Sequence, residues 1–522
     1  MPCFQSKSLN PGQETSWLTL PQKDQLFLLF LCRVFDFMQI ASFQTICYYQ
    51  LKAIDPSASE ITLSWQTGIA IGAFTAAQTC TSVLWGSCAD KKWCGRKPVL
   101  LIGLSGTGLS CIGLGFTTSF SGTVVFRVIG GLLNGTVGIV RTMMSENIVE
   151  KRFQSRAFSL LSLSFNVATF LGPLITGFLS NPMKVTSASR DPASHWLERF
   201  PYALPSLASA ATMFLLSAVV FLFTKEVWHC GKPRDQALRN LKYLILRLVG
   251  RRQPTDYAAL IQEVPEDMDS AELEERASAG SGPRMDRAQK SSPVRRSMSI
   301  WTFTFIATLG SQAIFDFHMG AFAGLWPLFL SNARASPEDQ VSGHAGGLGM
   351  SVKSVGLATS ISGVIGVIIQ IFIYPRVNDI IGTVNSYRTF SSLFLLAYLA
   401  FPLLQAIQPA AAMWPAIFLT LLIHVTGRVF VIPATIIVLN NSAPAAHLLG
   451  KVHGIGQMAS ALFRTLGPFF AGYLYQEGLK LESAVFSWWT VAVIAFLGFV
   501  AAQFVRNGPV PTAPASVDQE RL

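Results

Sequence analysis

Residues 171–179 read Leu-Gly-Pro-Leu-Ile-Thr-Gly-Phe-Leu, and residues 466–474 read Leu-Gly-Pro-Phe-Phe-Ala-Gly-Tyr-Leu. Both stretches lie inside long apolar segments and keep their glycines and proline at the same spacing. Other short matches recur in the same order and at a similar separation along the chain: Arg127-Val128 with Arg428-Val429, Asp90 with Asp379, and, at a somewhat shorter separation, Phe35-Asp36-Phe37 with Phe315-Asp316-Phe317. Repetition of this kind predicts two related halves within one chain.

The composition places these halves in a membrane. The chain has 522 residues, of which 50% are hydrophobic and only 13% are charged, and a membrane-spanning helix needs about 20 mostly apolar residues. We find twelve such windows and number them as spans 1 to 12: 26–48, 66–86, 98–118, 122–142, 157–179, 202–223, 300–330, 354–374, 387–406, 412–436, 454–475 and 484–506. The sequence therefore predicts an all-α membrane protein with twelve transmembrane helices in two pseudo-symmetric six-helix halves.

One long hydrophilic stretch separates span 6 from span 7, where a linker between the halves is expected. The first apolar stretch follows a polar segment and lacks a small-residue cleavage pattern, so we expect it to remain as a membrane anchor. The predicted division of the chain is a cytoplasmic N-terminal tail, a six-helix half, a cytoplasmic central loop, a second six-helix half and a cytoplasmic C-terminal tail, at 1–24, 25–223, 224–298, 299–506 and 507–522.

Basic residues are distributed unevenly between the two sides of these spans. The formal net charge of +11 would also suit a protein that binds nucleic acid. Even without the central loop 224–298, however, twice as many Lys and Arg lie on one side of the spans as on the other. The richer side is cytoplasmic by the positive-inside rule. Both termini are therefore predicted to be cytoplasmic, and no nucleic-acid partner is expected.

The loop after span 2, residues 85–98, reads Trp-Gly-Ser-Cys-Ala-Asp-Lys-Lys-Trp-Cys-Gly-Arg-Lys-Pro. It resembles the signature G-x-x-x-D-[RK]-x-G-R-[RK] of the major facilitator superfamily, with two additional residues between Asp90 and Gly95. The resemblance implies a cytoplasmic gating motif in which Asp90 faces the start of span 11 and Arg96 pairs with Glu146. Its members here would be Gly86, Asp90, Lys91, Gly95, Arg96, Lys97 and Glu146. Alternatively, the basic residues only follow the positive-inside rule.

Two other segments are similar to further motifs of this superfamily. Arg127-x-x-x-Gly131 in span 4 resembles the second motif. The pattern formed by Gly172, Pro173 and Gly177 in span 5 resembles the third, which is characteristic of the antiporter branch. Glycine and proline would bend span 5 and allow close packing with a neighbouring helix. A purely structural kink is the alternative.

Three segments resemble the fungal branch of drug:proton antiporters related to the plant zinc-induced facilitators. They are the Asn134–Glu146 segment, the Gly346–Gly349 segment, and the Gly427–Pro433 segment together with Asn440–Pro444. The resemblance implies export of small organic molecules such as drugs, toxins or secondary metabolites. It does not identify the substrate.

Ionisable side chains inside the spans are candidates for function, because each costs roughly 2.5–3.5 kcal/mol at the bilayer centre. Asp36 falls near the middle of span 1, and Arg33 lies three residues earlier on the same helix face. A carboxyl group in this setting can change its proton occupancy with the side to which it is open. We therefore assign proton coupling to Asp36, Arg33 and Arg127. The alternative is a static Asp36–Arg33 pair that only holds the helices.

Polar and charged residues in the spans that usually line the cavity of this superfamily are candidates for substrate binding. They are Gln44, Asp316, His318, Arg428 and Arg464. The arginines would receive a polar or anionic part of a substrate, with aromatic contacts nearby. Packing of Arg464 against carbonyl groups and an ordinary hydrogen-bonded role for His318 are the alternatives.

The sequence indicates neither an enzyme nor a primary pump, since no nucleophile or metal cluster and no Walker-type phosphate loop stands out. No cofactor and no metal site are expected. The expected partners are a small organic substrate, protons and the lipid bilayer, with the chain functional as a monomer. The plasma membrane is the expected location, with the vacuolar membrane as the alternative. A zinc or metal-chelate transporter and a non-transporting sensor remain the alternative functions.

The predicted orientation has a direct test. A self-labelling protein tag fused to the C-terminus should react with a membrane-impermeant dye only after the plasma membrane has been permeabilised, because both termini are predicted to be cytoplasmic. A tag inserted in the 181–198 segment between spans 5 and 6 is the control and should react in intact cells. Labelling of the C-terminal tag in intact cells would contradict the orientation.

Overall fold

A computed structural model describes residues 22–91, 94–148, 151–180, 199–224, 300–334, 346–407, 409–442 and 448–506, without the side chains of 151–158, 410, 449, 450 and 484. This part of the chain consists of helices, turns and connecting segments without a β-sheet. The predicted tails and nearly all of the central loop lie outside the described residues. The domain bounds drawn there therefore remain predictions.

Each of the twelve predicted windows coincides with a helix or an interrupted helix. Spans 1 to 6 are Lys23–Ile54, Glu60–Ala89, Arg96–Gly115, Phe120–Leu133 with Thr136–Asn147, Lys151–Leu179 and Ala203–Phe223. Span 7 is Phe303–Ser331, and span 8 is Val352–Ile368 with Tyr374–Ile381, joined by a π-helical turn at Ile369–Ile373. Span 9 is Thr383–Phe390 with Ser392–Ala400 and the 3-10 turn Phe401–Ala406, and spans 10 to 12 are Ala410–Asn441, Leu449–Lys480 and Ala484–Gln503.

Within the described residues, 11 of these helices are long and apolar enough to cross a membrane. Span 11 has 32 residues and is therefore long enough, but it is less apolar than the other spans and is not among these 11. Polar residues along it, such as Lys451, Gln457 and Arg464, dilute its apolar character. The prediction of an all-α membrane protein is confirmed.

The surface of the helix bundle carries large apolar side chains. Val83 is 70% exposed and Leu215 is 68% exposed, and many other apolar residues in the spans are exposed in the same way. A surface with so many contiguous apolar side chains is not compatible with water. Lipid is the environment that this surface requires.

Spans 5 and 8, one from each half, pack through glycines. A Cβ atom added at Gly177 would lie 3.3 Å from the Cα atom of Gly356, and one added at Gly356 would lie 2.5 Å from the carbonyl oxygen of Pro173. A Cβ atom added at Gly172 would lie 2.8 Å from the carbonyl oxygen of Met38 in span 1. Such close approach of two backbones is open to glycine and to few other residues.

Spans 11 and 2 form the corresponding crossing, in which the Gly-Pro motif of the second half meets a helix of the first half. A Cβ atom added at Gly68 would lie 2.8 Å from both the Cα atom of Gly472 and the carbonyl oxygen of Pro468. A Cβ atom added at Gly467 would lie 2.5 Å from the backbone nitrogen of Ala321 in span 7. The repeated Gly-Pro motif therefore packs in the same way in both halves, which confirms the prediction of two pseudo-symmetric halves.

Further contacts join the halves on the side predicted to be extracellular. The Asn332 side chain donates to the Ser64 hydroxyl at 3.4 Å, and the backbone N–H of Ala333 donates to the Glu60 carboxylate at 3.4 Å. The Tyr49 hydroxyl donates to the carbonyl oxygen of Met350. The glycine crossings and these hydrogen bonds close the bundle toward its predicted outer face.

The glycine crossing between spans 5 and 8 has a measurable consequence. Substitution Gly356→Ala should lower the melting temperature of the purified protein by a few degrees, because an added methyl group meets backbone atoms that cannot move aside, and overpacking typically costs about 1–3 kcal/mol. The matched control is Gly310→Ala in span 7, where no atom lies within 4 Å of an added Cβ. Equal melting temperatures for the two variants would contradict this role of Gly356.

Candidate functional site

Asp36 lies within span 1 and is buried, with 1% of its surface exposed. The Arg33 guanidinium, one turn earlier, donates to its Oδ2 atom, and the Asn134 side-chain amide donates to its Oδ1 atom at 2.7 Å. The Arg33 guanidinium also lies 4.0 Å from the centre of the Phe37 ring. Both oxygens of this carboxyl group therefore accept a hydrogen bond, which offsets part of the cost of its burial.

Asn134 occupies a break in span 4, between a segment that ends at Leu133 and a second segment that begins at Thr136, which we name the inner segment after its predicted cytoplasmic side. Its side-chain oxygen accepts hydrogen bonds from the backbone N–H of Thr136 at 3.1 Å and from the Thr136 hydroxyl at 2.6 Å. Because donors occupy this oxygen, the amide nitrogen is the atom that faces Asp36 and the Thr107 hydroxyl. The break in the helix thus provides Asp36 with an oriented donor.

Arg127 in span 4 is buried next to the helices that precede it. Its Nε atom donates to the carbonyl oxygen of Ala70 in span 2 at 3.2 Å. Its guanidinium lies 4.2 Å from the centre of the Phe43 ring and 4.6 Å from that of the Phe74 ring. These contacts hold Arg127 against spans 1 and 2 and do not include Asp36. The role of Arg127 in proton coupling stays a prediction.

Arg428, which the sequence repeat relates to Arg127, occupies the corresponding position in the second half. Its Nη2 atom donates to the carbonyl oxygen of Ser362 in span 8 at 3.3 Å and to the side-chain oxygen of Asn166 in span 5 at 3.0 Å. The guanidinium also lies 5.0 Å from the centre of the Phe165 ring. With 3% of its surface exposed, Arg428 joins spans 5, 8 and 10. Its role in substrate binding stays a prediction.

A second group of charges lies between the halves, close to the acid and base of span 1. The charges of Arg33, Arg464 and Asp316 all act on Arg141 of span 4, and the charge of Arg464 also acts on Arg33. Arg141 donates to the side-chain oxygen of Gln457 in span 11. The Oδ2 atom of Asp316 is buried and has no hydrogen-bond partner among the described residues. This carboxylate is therefore less fully satisfied than the one in span 1.

His318 lies in an aromatic cluster of the second half. It is 2% exposed, and its Nδ1 atom is 3.0 Å from the Tyr398 hydroxyl. The rings of Phe315 and Phe394 pack on the imidazole. This is the ordinary hydrogen-bonded environment of a buried histidine. Gln44, the candidate in span 1, is half-buried. The roles of both residues in the substrate cavity stay predictions.

The gating motif after span 2 is organised around Arg96, which begins span 3. Its guanidinium forms ion pairs with Glu146 at the end of span 4 and with Asp90 at 3.6 Å. The Asp90 side chain is 67% exposed. Residues 443–447, just before span 11, lie outside the described part of the chain. The predicted approach of Asp90 to the start of span 11 therefore stays a prediction.

Backbone hydrogen bonds to Lys91 and the conformation of Gly95 shape the end of this motif, between spans 2 and 3. The backbone N–H groups of Cys94 and Gly95 donate to the carbonyl oxygen of Lys91 at 3.1 and 3.2 Å. Gly95 has a φ of 77°, a left-handed conformation that favours glycine. The Lys97 ammonium donates to the carbonyl oxygen of Thr224 at 2.9 Å. A cleft of about 130 Å³ lies beside Gly86 and extends to the inner segment of span 4.

Metal binding has little support in this part of the chain. The sulfur atoms of Cys88 and Cys94 are 3.2 Å apart, and both are free thiols. Among the described residues, no group of three or more His, Cys, Asp and Glu side chains could hold a metal ion. The residues His229 and Cys230 lie outside the described part. Two thiols alone are fewer ligands than a protein zinc site uses.

Neither Asn134 nor Arg141 was predicted from the sequence to belong to the site. The Asn134-Gly135 dipeptide is a turn signal inside an apolar window, so the break in span 4 was open to prediction. The pairing of Asn134 with Asp36 could not be predicted from the sequence, because it depends on how spans 1 and 4 cross. Arg141 was counted as lying in span 4, but its contact with Gln457 joins residues far apart in the chain.

Comparison with known proteins agrees with this architecture. A sequence profile of the Major Facilitator Superfamily matches residues 26–227. The chain is 27% identical to the major facilitator superfamily multidrug transporter mfsB of Aspergillus fumigatus, over 97% of this chain and 87% of that relative. It is 24% identical to the protein ZINC INDUCED FACILITATOR-LIKE 1 of Arabidopsis thaliana, over 92% of this chain and 89% of the relative.

Solved structures show the same fold. The crystal structure of a D-xylose-proton symporter superposes with a TM-score of 0.58 at 16% identity, covering 93% of this chain and 98% of the symporter. At this level of identity the likeness concerns the fold alone. Three findings agree on this architecture: the profile match in the first half, relatives that align over nearly the whole chain, and the paired six-helix halves. The chain is an integral, multi-pass membrane protein with the major facilitator fold, and its residues 26–227 match the model of the Major Facilitator Superfamily.

Proposed function

We propose that this protein is a proton-coupled secondary transporter that exports small organic molecules by alternating access. The observation that carries the proposal is the buried carboxylate of Asp36, which accepts hydrogen bonds from Arg33 and Asn134. An acidic side chain buried inside a membrane span bears a cost that function usually explains. The similarity to a multidrug transporter supports export of organic compounds as the direction and class of transport.

The two donors on Asp36 give the coupling a physical basis. A proton added to either oxygen would replace an accepted hydrogen bond by an O–H group that must itself donate. Protonation would therefore weaken the hold of Asp36 on Arg33 or on Asn134. Since the charge of Arg464 acts on Arg33, a change at Asp36 reaches the charges between the halves. Proton occupancy and the arrangement of the two halves are then linked, as antiport requires.

The substrate would bind near the second group of charges. Counted as formal charges, Arg33, Arg141 and Arg464 contribute three positive charges and Asp36 and Asp316 two negative charges, which leaves an excess of positive charge. An acceptor or anionic group of a substrate would compensate this excess. Aromatic side chains from both halves lie nearby and would contact apolar parts of the molecule: Phe37 with Phe165, and Phe317 with Phe470.

The remaining parts of the proposal concern the setting. The positive-inside rule supports cytoplasmic termini, and we propose the plasma membrane as the location, with the vacuolar membrane as the alternative. A single chain contains both halves and the charges between them, which supports function as a monomer. The similarity to a zinc-induced facilitator-like protein keeps transport of zinc or a metal chelate as the second candidate.

The coupling can be tested in reconstituted vesicles. An imposed pH gradient should drive accumulation of a transported compound, and Asp36→Asn should lower this gradient-driven accumulation at least tenfold, because the variant has no carboxyl group to carry the proton. The control Asp55→Asn removes an exposed acid that bonds to Ser57 in the loop between spans 1 and 2, and it should transport normally. Equal accumulation with and without the gradient in the unmodified protein would refute proton coupling.

The substrate class can be tested in a yeast host that lacks its own efflux pumps. Expression of the chain should raise tolerance to one or more lipophilic organic toxins and should leave tolerance to zinc unchanged. The reason is that aromatic and charged side chains surround the proposed site, while the described residues hold no group of metal ligands. The Asp36→Asn variant serves as the inactive control. Increased zinc tolerance alone would favour the metal alternative.

A further inference from the structure

We propose that Asn134 is a positioning residue of the proton site. Its side-chain amide donates to the Asp36 carboxyl group and connects that group to the inner segment of span 4, residues Thr136–Asn147. The inference rests on the proposed function, since it assumes that Asp36 exchanges a proton during transport.

The geometry of the amide leaves it one useful orientation. The Asn134 oxygen accepts from the backbone N–H and the hydroxyl of Thr136, so its nitrogen must donate. That nitrogen lies 2.7 Å from Oδ1 of Asp36 and 3.2 Å from the Thr107 hydroxyl. Asn134, Thr136 and Thr107 are all buried, with 1% or less of their surface exposed. Water is therefore a poor substitute for the amide as a donor to Asp36.

The inner segment of span 4 connects this amide to the rest of the transporter. It starts immediately after the break at Asn134 and Gly135. One turn and a half further on, Arg141 donates to Gln457 in span 11 of the opposite half. Near the end of the segment, Glu146 forms the ion pair with Arg96 of the gating motif. A change in the hydrogen bond at the start of this segment can therefore move contacts at both the half interface and the gate.

Few other ionisable groups face Asp36. Within span 1, the charge of Asp36 acts on Cys32 and Arg33. From other helices, the charge of Arg464 acts on Arg33. Asp316 of span 7 interacts electrostatically with Arg141 and Arg464. Spans 5 and 6 also pack on span 1, and they carry no ionisable residue between 159 and 179 or between 203 and 223. Asn134 is thus the neutral donor among mostly cationic neighbours, and its removal leaves their charges unchanged.

The test measures proton occupancy of Asp36 without a substrate. Dicyclohexylcarbodiimide adds to protonated carboxyl groups in apolar surroundings, and mass spectrometry of the peptide that contains Asp36 quantifies the product. In the purified full-length protein, Asn134→Ser should raise the pH of half-maximal labelling by about one unit, because loss of a donor to the ionised form favours protonation. The serine hydroxyl can still accept from Thr136 and preserve the turn, but it is too short to reach Asp36.

The matched control is Thr136→Val. It removes one hydrogen bond to the Asn134 oxygen and keeps the backbone N–H that orients the amide, so the pH of half-maximal labelling should equal that of the unmodified protein. A purely structural role for Asn134 would lower the yield of folded protein and leave this pH unchanged. Labelling at the same pH in Asn134→Ser and the unmodified protein would overturn the inference.

The outcome is independent of the transport assay. If the unmodified protein fails to respond to a pH gradient in vesicles, the proposed function is refuted, whatever the labelling shows. If gradient-driven transport is present and Asp36→Asn abolishes it, but Asn134→Ser labels like the unmodified protein, only the role of Asn134 is refuted. A shift in labelling accompanied by an equal shift in the pH dependence of transport supports both.

Discussion

The organisation of the first half depends on the burial of one acidic side chain, Asp36, inside an apolar helix bundle. Removing a charge from water costs several kcal/mol unless hydrogen bonds and an opposite charge replace the solvent. Asp36 receives one donor from its own helix and one from a point where span 4 is interrupted. An interruption at membrane depth would itself leave backbone groups unsatisfied. The Asn134 side chain serves both needs, because its oxygen accepts from the backbone of Thr136 while its nitrogen donates to Asp36.

The two halves share the arrangement of their helices but differ in the hydrogen bonding of their buried acids. Arg127 and Arg428 each donate to a backbone carbonyl of a neighbouring helix, span 2 in the first case and span 8 in the second. The acids at the repeated Phe-Asp-Phe positions differ, because Asp36 is fully bonded whereas Asp316 keeps a buried oxygen without a partner among the described residues. Under the proposed function, divergence of this kind would let one half exchange the proton while the other meets a variable ligand. It is consistent with the separate roles that we propose for the two acids.

Much of the fold could be predicted from the sequence, because it follows from composition and periodicity. All twelve helices coincide with predicted windows, and the repeated Gly-Pro motif indicated both the two halves and the close helix packing. The breaks in spans 4, 8 and 9 were not predicted, since hydropathy windows average over a single turn. The candidate site was predictable only as a set of charges. Which charge meets which partner depends on helix crossings, as Arg428 and Asn166 show.

The glycine crossings also determine how the halves can separate. At Gly177 with Gly356, and at Gly68 with Gly472, backbone atoms of the two helices approach each other directly. Dispersion contacts of this kind weaken steeply with distance but have no preferred direction, so the two backbones can pivot while they remain in contact. A rocking motion about these crossings would therefore proceed over a smooth energy surface. The glycine crossings would then serve as pivots. The directional hydrogen bonds elsewhere in the bundle would determine at which positions the motion stops.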